Sequence, residues 1–346
     1  VAETGFLEQG LDLAALPRVC EEQVRPENLD ARLAGARAPF VVRGLAADWP
    51  LVRAGLESAD AARAYLVAHR RERTMTASIG APGGGDRLFY DAAMGMNFRM
   101  AQGPLEGFLK AMAVAEADAN APVIYLASVD MGDYFLGLAE ANRVPLGARK
   151  PIESIWIGNR TCIAAHNDVP DNLAVCAVGQ RRFTLFPPEQ FANLYPGPLE
   201  NTPAGRPVSM VDVRDPDFAA HPRFREALAH AQVAELEPGD ALFVPSLWWH
   251  HVEGLAPFNI LVNYWWRDAP AFLGKPEHAL FHAILALRDL PDADKRRWRD
   301  LFDHYVFANG ADVTDHLPAD GRGILAPLTA ETAGQIRAHL LRSLAR

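Results

Sequence analysis

Between about residues 151 and 268 the chain is a succession of short runs rich in β-branched and aromatic residues, each ended by Pro or Gly, and nothing else in the sequence narrows the fold as much. The clearest runs are 154–158, 173–178, 182–186, 241–244 and 259–266, with Pro187-Pro188, Tyr195-Pro-Gly-Pro198 and Glu237-Pro-Gly-Asp240 standing between them. Such side chains suit a pleated, half-buried surface, and Pro and Gly supply the turn dihedrals. The spacing predicts antiparallel strands in a sandwich or jelly roll.

The flanks read differently. Residues 1–150 mix strand-like runs such as 39–44 with helical patterns near 59–70 and 105–117. Beyond 268 the apolar period becomes helical: Leu280, Ile284 and Leu287, then Trp298, Leu301, Phe302 and Tyr305. A last helix opens at Thr329 as N-cap and aligns Ile336, Leu340 and Leu344. The expected fold class is α+β with a mainly β core, as a domain over 1–268 (core 151–268) and a helical region over 269–346. Those helical stripes have to be covered, either by the barrel or by a second copy of the chain.

Composition removes several function classes. With 346 residues and 49% hydrophobic content a sizeable core is available. A net charge of -9 argues against nucleic acid, and the densest basic run, Lys295 to Arg299, is interleaved with Asp292, Asp294 and Asp300. Cys20, Cys162 and Cys176 form neither a disulfide framework nor a zinc ribbon. Residues 1–13 carry Glu3, Glu8 and Asp12 where a signal peptide needs a basic start, and no run of eighteen apolar residues occurs. A cytoplasmic protein without a membrane span is expected.

The chemistry-bearing residues are histidines. In Ala165-His166-Asn167-Asp168 the two potential ligands are two residues apart, so an extended backbone points both to one face. His250, in the run Trp248-Trp-His-His251 after the Glu237 turn, supplies a third donor from a neighbouring strand. Two imidazoles and one carboxylate on one face of an octahedron leave three positions open, the arrangement of non-haem Fe(II) sites. A structural zinc site would be closed. His251 is expected on the opposite face. His278 and His282 have helical spacing but lack the glutamate of a zinc-protease motif, and His69, His221, His230, His304, His316 and His339 have no partner pattern.

On these residues, and on Gly179-Gln-Arg-Arg-Phe-Thr-Leu-Phe186, 243–253 and Val262-Asn-Tyr-Trp265, the chain resembles the cupin-like JmjC proteins, relatives of the asparaginyl hydroxylase of hypoxia-inducible factor. Weaker likeness reaches Arg43-Gly-Leu-Ala-Ala-Asp-Trp-Pro50. The resemblance implies a double-stranded β-helix binding Fe(II) through His166, Asp168 and His250, with 2-oxoglutarate as co-substrate. It places Arg181 and Tyr125 at the far carboxylate, Asn172 and Asn263 along the pocket, and Trp265 as a wall. Arg182 beside Arg181 leaves open which of the two turns inward. Ile163 departs from the pattern, standing where the hypoxia-factor enzyme has a hydroxyl donor. Trp248, Trp249 and Trp265 are expected to keep the site dry.

The activity so implied is an Fe(II)- and 2-oxoglutarate-dependent dioxygenase that takes O2 and hydroxylates, or demethylates by hydroxylation, a protein or small-molecule substrate. Two readings compete: a non-catalytic cupin binding a metal or small molecule, and a metal cupin enzyme that needs no oxo-acid. The helical C-terminus resembles a dimerising tail, so a homodimer is expected.

Overall fold

The computed structural model describes residues 11–118, 120–308 and 310–345. The chain divides into two compact units, Val1–Arg267 and Asp268–Arg346.

The first unit carries thirteen strands among its described residues: β1 Phe40–Val42, β2 Met75–Gly80, β3 Arg87–Leu88, β4 Phe98–Gly103, β5 Ile124–Asp130, β6 Ile152–Gly158, β7 Thr161–Asn167, β8 Asp171–Val178, β9 Arg181–Phe186, β10 Gln232–Leu236, β11 Ala241–Val244, β12 Trp249–Gly254 and β13 Asn259–Trp266. They form an eight-stranded sheet in the order β1-β11-β8-β13-β6-β5-β2-β4 and a five-stranded sheet in the order β10-β9-β12-β7-β3. All pairings are antiparallel except β3 with β7. This is the jelly-roll core that the run-and-turn pattern predicts.

The central strands of the large sheet, β11, β8 and β13, are apolar on both faces because both are covered. On β8, Leu173, Val175 and Ala177 turn outward into a core shared with the helices Pro26–Ala34, Pro50–Glu57, Ala59–His69 and Leu105–Ala115. Ala174 and Cys176 turn inward and meet Phe183, Leu185, Ala234, Leu236 and Val252 of the small sheet. Strict alternation of burial would have marked a solvent-facing sheet; continuous burial marks a middle layer.

The turn before β11 is fixed by one glycine and one carboxylate. Gly239 has φ +96°, and a Cβ there would meet the Ala47 backbone at 3.1 Å. Asp240 accepts from Arg43 Nη1 (2.6 Å), the Gly44 N–H (2.9 Å) and the Glu237 N–H (3.0 Å). Arg43, in the weaker stretch of resemblance, thereby locks β1 to the turn that leads toward His250.

Two of the sheet edges, β1 and β10, are closed by one local device. Residues 17–22 form a strap that pairs with β10 through Val19 and Val233 (2.9 Å) and with β1 through Cys20, Glu22 and Val41 (2.8 Å each). One segment thus covers an edge of each sheet, which blunts two templates for unwanted pairing.

The second unit is helical, with Pro276–Leu287, Asp292–Phe302 and Ala330–Leu344 as its main helices. Thr329 caps the last one in a reciprocal capping box with Thr332. The helical periodicity holds, but the stripes are not covered: Leu280, Trp298, Leu301, Tyr305, Leu340 and Leu344 are all exposed. Among the described residues no helix is long and apolar enough to cross a membrane.

Candidate metal centre

His166 lies in β7 and His250 in β12, directly opposite each other across the ladder, with ring centroids 4.3 Å apart. Asp168 follows just past the end of β7, its Oδ2 3.7 Å from His250 Nε2. One ligand-type atom from each of the three lies within 4.8 Å of the others, and this is the one such group of metal-binding side chains among the described residues. The i, i+2 reasoning therefore places these residues together, although Asp168 sits on loop backbone.

The ladder contains a device that alternation does not show. Pairing runs Trp249 to Asn167 and His250 to His166, then resumes at Val252 with Ile163, so Ala164 and Ala165 together oppose the single residue His251. This β-bulge re-aims the end of β7. Ile163 and His166, three apart, consequently both face the space between the sheets, where Ile163 packs against its core.

Both imidazoles are oriented from behind. His166 Nδ1 lies 2.9 Å from the Ala164 carbonyl and His250 Nδ1 3.1 Å from the Trp248 carbonyl. A carbonyl only accepts, so each Nδ1 carries the hydrogen and each Nε2 presents its lone pair to the centre. Burial, reinforced by the neighbouring His166, pulls the His250 pKa down to about 4, which keeps it in the neutral, metal-binding form. Asp168 is held through its backbone: the Leu247 N–H donates to its carbonyl (2.8 Å), while Ser246 donates from Oγ to Val169 (2.5 Å) and from N–H to Asp171 (2.8 Å).

The other predicted residues line the same inter-sheet space. Arg181 begins β9 and is fully buried, whereas Arg182 turns outward to Glu235 at 2.9 Å, which resolves the ambiguity between them. No nitrogen of the Arg181 guanidinium has a hydrogen-bond partner among the described residues. It stands beside Tyr125, whose phenol is pushed up by burial and pulled back by the Arg181 charge. The Tyr125 ring lies 5.9 Å from Trp156, which meets Trp265 edge-on at 5.7 Å and donates to Asn263 Oδ1 at 2.8 Å. Asn172 pairs across the ladder with Trp265, and Asn172 Oδ1 and Trp265 Nε1 are buried without hydrogen-bond partners among the described residues.

Sequence reasoning missed Trp156, the residue connecting this group; its parity with Ser154 on an inward-facing strand was the available signal. It also misplaced Trp249. Alternation along β12 sends Trp249 to the face opposite His250, where it packs with Phe186, Leu194 and Phe224 instead of walling the site. His251 takes that outer face too, with Nε2 3.2 Å from Cys162 Sγ.

The donor set and the orphaned guanidinium fit a divalent metal and an anionic ligand. Two neutral imidazoles and a carboxylate are hard-to-borderline donors suited to Fe(II), and a buried cation without a counter-ion needs an anion beside it.

Comparison with known proteins agrees with this geometry. The family model of the cupin-like domain matches residues 26–272, well over half of the chain. HSPB1-associated protein 1 of Homo sapiens is 35% identical over 139 residues, 38% of this chain and 27% of its own length. The tRNA wybutosine-synthesizing protein 5 of Danio rerio is 36% identical over 106 residues (31% and 29%), and the lysine-specific demethylase JMJ31 of Arabidopsis thaliana is 30% identical over 115 residues (33% and 20%). The matched stretch spans less than a third of each of these relatives. The chain belongs to the cupin-like JmjC family.

Proposed function

We propose that the chain is an Fe(II)- and 2-oxoglutarate-dependent oxygenase, with His166, Asp168 and His250 as metal ligands. The observation that carries this reading is Arg181: a fully buried guanidinium beside the Tyr125 hydroxyl with no counter-ion among the described residues, on the same inter-sheet face as His250. Arg181 pairs with Gly254, four residues along β12 from His250. That is roughly 13 Å of strand, a gap that a five-carbon dicarboxylate and an arginine side chain bridge between them.

Fe(II) with 2-oxoglutarate and O2, when bound, supplies the oxidising power that places an oxygen atom in a C–H bond while the oxo-acid becomes succinate and CO2. The protein's part is orientation and exclusion. His166 and His250 are fixed by their backbone-bound Nδ1 hydrogens, and Asp168 by the Leu247 contact. Arg181 pairs bidentately with the far carboxylate, and the Tyr125 hydroxyl donates to it. Asn172, Asn263 and Trp265 line the remaining pocket, and the aromatic row Tyr125, Trp156 and Trp265 keeps bulk water away.

Of the two substrate classes that the relatives' names carry, tRNA and a lysine side chain, the net charge of -9 disfavours the first and supports a protein side chain. The exposed apolar stripes of the second unit support a homodimer through those helices. The free cysteines suit a reducing, cytoplasmic setting. A monomer by size-exclusion chromatography with light scattering would overturn the dimer.

The activity is tested by titrating 2-oxoglutarate into anaerobic Fe(II)-loaded protein and following the visible charge-transfer band of an iron-bound 2-oxo acid. A saturable band that Arg181→Ala abolishes is expected. Metal binding without a band would move the assignment to a cupin that uses no oxo-acid.

A further inference from the structure

The two sheets have four edges, and three are managed. The strap at 17–22 covers β1 and β10, and β3 is only two residues long. The fourth, β4, is different. It pairs with β2 without interruption from Phe98 with Gly80 to Gly103 with Met75. Every second N–H and C=O of its six residues therefore points away from β2, and nothing among the described residues receives them. No Pro, no Lys and no bulge interrupts Phe98-Arg-Met-Ala-Gln-Gly103, and Arg99 is the single charge on this edge.

A recess stands at its head. A cavity of about 500 Å³ is lined by Ile79, Pro82, Met96, Phe98, Arg99 and Pro122. Met96 also packs on the cluster containing Ala164, two residues from His166. Arg99 is exposed and has no carboxylate partner among the described residues, and Met100 is 60% exposed. The edge is close to the pocket as well: Ser78 of β2 pairs with Met100 on one side and with Tyr125 on the other. A strand added outside β4 would run three strand spacings, roughly 15 Å, from β5.

We propose that β4 is the docking strand for an extended polypeptide, the protein substrate of the metal centre, which seats an apolar side chain in the cavity and an acidic side chain on Arg99. This rests on the oxygenase reading for the word substrate. Strand addition derives affinity from main-chain hydrogen bonds and selectivity from pockets for alternate side chains, and β4 offers both. A second copy of the chain is the poorer occupant, because β4 itself has no acidic residue to meet Arg99 and would bring a second arginine to the edge instead. RNA would need clustered cations where the groove has one.

The experiment is to pan a phage-displayed library of linear peptides against the full chain, then measure binding of the enriched peptide as synthesised. The peptide is expected to carry an apolar and an acidic residue and to bind roughly tenfold more weakly to Arg99→Glu, with Co(II) binding unchanged. N-methylation at alternate residues should abolish binding in one register and spare it in the other, because only alternate N–H groups face β4. No enriched peptide, equal effects of the two registers, or indifference to Arg99→Glu would overturn the proposal. So would a peptide-free dimer that Arg99→Glu dissociates, which assigns the edge to a second copy, or displacement of the peptide by tRNA. The peptide measurement uses no oxo-acid and the charge-transfer titration uses no peptide, so failure of either leaves the other intact.

Discussion

Arg181 is a charge stored where solvent cannot reach it, and its energetics run opposite to its use. Without an anion it raises the free energy of the native state, so Arg181→Met should stabilise metal-free protein by about 1–4 kcal/mol in urea denaturation while 2-oxoglutarate binding is lost. A variant that loses both stability and binding would show the arginine to be a packing element. The two adjacent histidines of β12 make a second residue-scale prediction. Burial, aided by nearby arginines, pulls His251 down to about 3, and His250 stands at about 4. Both lie below the unfolded value of about 6.5, so from pH 6.5 downward the unfolded chain takes up protons that the native one refuses. The contribution of these two histidines to the stability of the metal-free protein should therefore be level above that pH and fall by about 1.4 kcal/mol per unit for each histidine below it. His251→Gln should remove half of that slope between pH 6.5 and 5. At this scale the sequence was informative, since spacing on an extended backbone was enough to group His166 with Asp168. It was uninformative about Arg181 against Arg182, because both faces of β9 are covered and alternation alone does not name the inner one.

Among elements, the β11 turn and the β7 bulge decide whether the site assembles. The turn was legible: Pro, Gly and Asp in that order specify it, and the structure adds that Gly239 has a positive φ against the Ala47 backbone. Gly239→Ala should cost about 1–3 kcal/mol, seen as a lower urea midpoint with an unchanged slope. The bulge was not legible. Ala164 and Ala165 carry no turn signature, and the shift exists only as a mismatch between two strands distant in sequence. Trp249 was misassigned for a related reason: a run of four large residues has no visible polarity, so its inward members have to be counted outward from a known ligand. Inserting one residue between Ala164 and His166 would turn His166 away, and Co(II) titration should then show loss of the site without loss of the far-ultraviolet β signal.

For the whole molecule, the family boundary and the physical boundary differ. The cupin-like match begins at residue 26, yet the hydrogen bonds that finish both sheets come from residues 17–22. That strap was illegible because Pro17-Arg-Val-Cys-Glu-Glu22 has neither period nor propensity; its order is borrowed from the two edges it joins. A fragment cut to begin at residue 26 should keep His166, Asp168 and His250 together but associate further than the chain from residue 11, visible as a larger mass by light scattering at equal concentration. The same six residues tie β10 to β1, the outermost members of opposite layers, so they act as a clasp between two leaves in addition to the turns by which the chain crosses from one to the other. The separation of the leaves is thereby set in part by a segment that contains none of His166, Asp168, His250 and Arg181.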